Sequence, residues 1–300
     1  MIAFIQNLLS GVALGSVYGL VALGYTMVYG VLQFINFAHS DLFMAGVFVA
    51  LGLSSWLVLV GCPPWIAFFL VLLLTAVFCI LLALGIERVA YRPMRQSPRI
   101  NVLIVAIGLS LFMENYGQVI LGADPRLFPA LLPTYNLLPG TKLVFTNIQF
   151  LTFVFGVVFT VALYWVVHRT RLGIAMRAVS NDSVTARLLG VASERIVAWA
   201  FGLGAAMAGF AALLYGLNYP KTEPLLGVII GLKAFSAAVV GGIGSISGAM
   251  LGGIVLGVAE TLVAFYGSSN MRDAIAFGLL IFILLIRPSG LLGRAELTKV

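Results

Sequence analysis

The chain has 300 residues, 62% of them hydrophobic and only 9% charged, with a mean hydropathy of +1.12. Soluble domains carry about 25% charged residues, so this composition excludes one or two domains that fold in water. The net charge of +7 comes from a few short connections between apolar runs, a pattern that holds loops on the cytoplasmic side rather than one that binds nucleic acid.

Apolar runs long enough to cross a ~30 Å hydrocarbon core recur over residues 8–31, 42–60, 65–86, 102–121, 150–167, 196–216, 228–266 and 273–287. The expected fold is all-α, a polytopic membrane helix bundle of about 7–9 crossings, with 1–300 forming one transmembrane domain. The first seven residues carry no basic group, so 8–31 reads as a retained span rather than a cleaved signal peptide. Gly11, Gly15 and Gly19 recur every four residues there and predict a face for close helix packing. Cys62 and Cys79 are separated by a helical run of about 25 Å and cannot bridge.

Between the first two runs lie Asn36, His39, Ser40 and Asp41. Asn36 or Ser40 suits a helix cap and Asp41 a first turn; a place at the mouth of a pathway is the alternative. Glu114, Lys233 and Glu260 lie inside or beside apolar runs, where ionisable groups mark either partnered interhelical bonds or a transport pathway. Four glycines, Gly241, Gly242, Gly244 and Gly248, crowd the run 228–266. They predict either a broken helix beside a wet path or a tight turn.

Twelve of the 17 lysines and arginines fall in three segments: Arg88, Arg92, Arg95 and Arg99; Arg169, Arg171, Arg177, Arg187 and Arg195; and Arg287, Arg294 and Lys299. All three are expected in the cytoplasm. Parity then puts residues 122–149, 217–227 and the N-terminus outside and the C-terminus inside. That requires seven crossings if 228–266 dips and returns, or nine if it crosses twice.

The connection 169–195 predicts a short helix over 180–190. Ser180 is the expected cap, Asp182 lies in the first turn, and Gly190 is the stop. Val184 and Leu188 form an apolar stripe beside Leu189, with Arg187 off that face. Such a helix suits docking in a partner's groove or lying on the lipid surface. Enzyme signatures are missing: His39 and His168 are the only histidines, no G-x-S-x-G elbow occurs, and no G-x-x-x-x-G-K-[ST] loop exists to bind ATP.

Five ordered motifs carry a family resemblance. They are Gly11–Tyr18 with Leu23–Gly30, Ile35–Asp41, Ile86–Pro93, Met176–Val191 and Lys233–Ala249. The chain resembles the LivH-type permeases of branched-chain amino acid ABC transporters, from about residue 8 to Arg294. Ser40 stands where that family usually has Gly, and Ser247 where it usually has Pro. The resemblance implies a permease subunit in a bacterial inner membrane, working with a second homologous permease, two cytoplasmic ATPases and a periplasmic substrate-binding protein. ATP would be used by the partner subunits, with no cofactor on this chain. Residues 176–190, including Arg177, match the family's ATPase-contact region. Urea or short amides are the alternative cargo, and an ion-coupled secondary transporter using Glu114 or Glu260 is the alternative class.

Overall fold

The computed structural model describes residues 2–95, 97–140, 142–268 and 271–293. Arg294 and Lys299 of the predicted basic C-terminal segment lie outside them, as does the Arg99 side chain.

The described residues form helices α1 (Ile2–Leu32), α2 (His39–Leu59), α3 (Pro64–Ile86), α4 (Arg99–Leu121), α5 (Asn147–Arg169), α6 (Arg171–Asn181), α7 (Ser183–Leu188), α8 (Ser193–Asn218), α9 (Leu226–Gly241), α10 (Ile246–Tyr266) and α11 (Arg272–Ile286). Two short strands, β1 (Arg126–Leu127) and β2 (Lys221–Thr222), pair antiparallel. Local chemistry sets several boundaries. Pro64 opens α3, where a missing amide hydrogen costs nothing. Thr146 and Gln149 form a reciprocal capping box on α5.

Seven helices are long and apolar enough to cross a bilayer: α1, α2, α3 continued to Met94, α4, α5, α8 and α10. The chain is therefore a multi-pass helical bundle. The run 228–266 is not one interrupted span. It folds into the antiparallel pair α9 and α10, and α9, at 16 residues, is about 24 Å long. The predicted span 273–287 becomes α11, also short at 15 residues.

At the centre stand α1 and α8, with α2, α3, α9 and α10 packed around them. Gly11, Gly15 and Gly19 lie against α10, where Gly253 and Gly257 face them. A Cβ on Gly15 would stand 2.6 Å from the Gly253 carbonyl oxygen. Backbones can come this close only because neither helix carries a side chain at the crossing. The outer faces of α4 and α5 stay apolar and exposed, as lipid-facing helices do.

The two ends of the bundle sort the connections. The β1–β2 pair joins the segments before α5 and before α9 at one end. At the other end Arg92 pairs with Glu194, and the Gln33 side-chain amide lies 3.4 Å from the Ser180 carbonyl oxygen. There, too, the amides of Leu291 and Leu292 donate to the carbonyls of Val240 and Gly241. The described basic connections thus share one end.

Candidate functional site

Buried polar groups gather where α1 turns into α2. Gln33 takes a left-handed conformation, φ 54°, and the chain folds back so that Asn36, His39 and Asp41 are almost fully enclosed. Tyr91 donates to Asn36 Oδ1 at 2.5 Å, and Ser110 donates to Asp41 Oδ2 at 2.6 Å. Ser110 Oγ also lies 3.5 Å from Glu114 Oε1, which attaches α4 to the cluster. The His39 ring meets Tyr25 edge-on, with centroids 4.9 Å apart. It fits because Gly24 carries no Cβ, which would collide with the ring.

The capping expectation for this turn is corrected. Ala38 occupies the cap of α2 with no side-chain bond. Asn36 is taken by Tyr91, and the Ser40 hydroxyl turns back to the Phe37 carbonyl at 3.0 Å. Asp41 does sit in the first turn, but buried. Thr26 Oγ1, Asn36 Nδ2, His39 Nε2 and Asp41 Oδ1 have no hydrogen-bond partner among the described residues. A buried polar atom left so costs about 1–3 kcal/mol, and three of the seven such atoms among the described residues lie in this turn.

A second network joins four helices. Lys233 on α9 lies 2.8 Å from Glu260 on α10 and 2.9 Å from Asp273 on α11. Tyr18 on α1 donates to the other Glu260 oxygen at 2.9 Å. Glu114 and Glu260 therefore belong to different networks, and Lys233 is the cation shared by Glu260 and Asp273 in the second.

The glycine-rich segment forms the α9–α10 turn, resolving the alternatives in favour of a tight hairpin. Gly242 and Gly244 have φ of 105° and 91°, a region that side chains disfavour. Gly241 and Gly248 press backbone to backbone inside the two helices, so Gly248 belongs to α10 and not to a break. Ser245 caps α10 by accepting from the Gly248 amide at 3.1 Å.

The predicted helix 180–190 is shorter than expected. Ser180 lies in the last turn of α6, and α7 is the six residues Ser183–Leu188. Its cap is Asp182, which accepts from the amides of Val184 and Thr185 at 2.8 and 3.2 Å. Asp182 therefore precedes the first turn instead of standing in it. The Thr185 hydroxyl donates to the same carboxylate, and these bonds hold it below its ordinary pKa. Gly190, φ 86°, ends the helix. Val184, Leu188 and Leu189 are 58%, 83% and 79% exposed, while Ala186 is turned inward. Arg187 folds back onto the Ser183 carbonyl, and Arg177 reaches the Val167 carbonyl, locking α6 against α5.

Sequence reasoning passed over Tyr18, Tyr91, Ser110 and Asp273. Ser110 stands one helical turn before Glu114 and was open to detection by that spacing. The others meet their partners only through tertiary contact.

The comparisons fit this architecture. The family described as branched-chain amino acid transport system / permease component matches residues 7–284. The high-affinity branched-chain amino acid transport system permease protein BraD of Pseudomonas aeruginosa is 43% identical, over 99% of this chain and 98% of that protein. The permease protein LivH of Escherichia coli K12 is 40% identical, over 99% and 98%. A probable LivH of Methanocaldococcus jannaschii is 28% identical, over 91% and 88%. With a family match over most of its length and relatives 40–43% identical from end to end, the chain belongs to the permease components of the branched-chain amino acid transport system family.

Proposed function

We propose that this chain is a permease subunit of an ATP-driven importer for branched-chain amino acids in a bacterial inner membrane. The observation that carries the reading is its end-to-end similarity to permeases named for that transport. It pairs with a second homologous permease. Two cytoplasmic ATPases dock at α6 and α7, and a periplasmic binding protein delivers cargo at the end that carries β1 and β2. The N-terminus lies outside and the C-terminus in the cytoplasm, in keeping with the basic connections at one end.

The exposed apolar side of α7 supports the docking role. The helix is capped at both ends, and the side chains of Val184, Leu188 and the flanking Leu189 are exposed among the described residues. In the proposed cycle ATP-driven closure pulls on this end and shifts the bundle between two states. The unsatisfied cluster around Asn36, His39 and Asp41 is the part that gains most from hydration in the other state.

The test is uptake by the complex reconstituted in proteoliposomes with its ATPases and binding protein. Labelled leucine, isoleucine or valine should accumulate with ATP, and urea should not compete. The chain alone should not concentrate any of them. Uptake by the chain alone under a proton or sodium gradient would overturn the reading.

A further inference from the structure

A cleft opens between the ends of α3 and α8. Beyond Ile86, α3 widens into a π-helical turn, Glu87–Tyr91, and then tightens into a 3-10 turn, Arg92–Met94. Arg88, Arg92 and Arg95 are thereby brought opposite Glu194 and Arg195 in the first turn of α8. With Glu87, Leu84 and Ala198 they line a cleft of about 390 Å³, within the ~300–1,000 Å³ range of small-molecule sites.

The charges in this cleft do not balance. Arg92 pairs with Glu194 and Arg95 with Glu87. Arg88 and Arg195 have no acidic partner among the described residues, and the buried Arg95 Nε has no acceptor. Guanidinium groups in excess of carboxylates present a fork that fits phosphate oxygens.

The surroundings indicate where that phosphate comes from. Leu81 and Leu84 follow at i and i+3 on one face of α3, Arg88 lies in the π-helical turn that continues it, and Arg195, Ala198 and Trp199 follow at i, i+3 and i+4 on α8. Each face runs from a cationic mouth at the helix end to an apolar side chain further along the span. Leu81 is 64% and Trp199 56% exposed. An exposed tryptophan beside arginines at helix ends is the signature of a membrane interface, and basic pockets between such ends hold anionic head groups.

The geometry points to a phosphate site that seats the head group of an anionic phospholipid, with its acyl chains along Leu81 and Trp199. Arg88 and Arg195 hold the phosphate, while the Arg92–Glu194 and Arg95–Glu87 pairs fix the walls. The leaflet is the one facing the basic connections. The site does not depend on what the bundle transports.

The purified full-length chain, freed of lipid in detergent, is titrated with phosphatidylglycerol or phosphatidylcholine and the bound lipid read by native mass spectrometry. Phosphatidylglycerol should bind in preference. Arg88→Gln with Arg195→Gln should weaken it about twenty-five-fold, taking roughly five-fold per arginine. Arg169→Gln with Arg171→Gln, which removes equal charge outside the cleft, should leave it unchanged. Glu194→Gln adds one net positive charge and should tighten binding, an arm that stands even if the double variant folds poorly. Excess inorganic phosphate should not displace the lipid. Equal binding of the two lipids, an unchanged affinity in the double variant, weaker binding in Glu194→Gln, or displacement by free phosphate would each overturn the proposal.

Discussion

Lys233 and Glu260, 27 positions apart on two antiparallel helices, form an ion pair 2.8 Å long, with side chains only 7% and 5% exposed. Glu260 is satisfied twice, by the ammonium and by the Tyr18 hydroxyl. Removing one partner of a buried pair strands the other charge, a loss of about 3–5 kcal/mol, whereas removing both is far milder. Lys233→Met should therefore lower the thermal midpoint of the purified protein strongly, and Lys233→Met with Glu260→Gln should recover most of it. Additive losses in this double-mutant cycle would mean that the two groups do not interact.

Gly15→Leu places a branched side chain where the Gly253 and Ile254 backbone already fills the space. Overpacking typically costs about 1–3 kcal/mol, and here two helix backbones would have to separate. Lower yield of folded protein and a lower midpoint are expected. Gly85→Leu, where the position is open, should be tolerated, and the contrast between the two is the measurement.

Sidedness is open to thiol labelling in a background lacking Cys62. Cysteines at Ser97 and Ser183 should resist an impermeant reagent added outside intact cells and react after lysis. One at Thr134 should react in both cases. External labelling at Ser183 would invert the proposed orientation.

Val184→Asp with Leu188→Asp converts the exposed apolar side of α7 to a charged one without touching any span. Insertion and thermal stability should match wild type, because both side chains already face outward. ATPase association or ATP-driven uptake should be lost, since an unpaired charge in an apolar groove is strongly disfavoured. Full uptake would place α7 on the bilayer surface instead. Asp182 adds a pH signature to the same helix. Its folded pKa lies below the ordinary 3.8, so the cap is fully formed above that value. The cap fails only as pH falls through the lowered one, and near neutrality coupling should not vary through this group.

The sequence revealed the spans because hydrophobic length is written directly in composition. The Gly11, Gly15 and Gly19 spacing showed one face of the central α1–α10 crossing. The hairpin at Gly242–Ser245 was harder to read, because glycines break a helix without stating whether the chain continues or returns. The cap of α7 was misplaced by two residues, since Ser180 and Asp182 are both good caps and only the α6 packing decides between them. Around His39 the signal was weakest. Tyr25 and Tyr91 are ordinary aromatics until the fold brings them to Asn36 and His39, and the room for the ring depends on the missing side chain of Gly24.

The two-residue strands Arg126–Leu127 and Lys221–Thr222 look minor beside the helices they connect. They nevertheless stitch the α4–α5 connection to the α8–α9 connection, with Phe128 donating to the Pro220 carbonyl at 2.7 Å. Phe128 also lies against Gly216 near the end of α8, where a Cβ would strike its ring. Helices stitched at one end share their displacement there, so any relative swing must grow with distance from the stitch. The greatest travel then falls at the opposite end, where α6, α7 and the arginine cleft lie. In mechanical terms the proposed cycle would work the bundle as a pair of tongs, with the small sheet as pivot and the basic connections as handles.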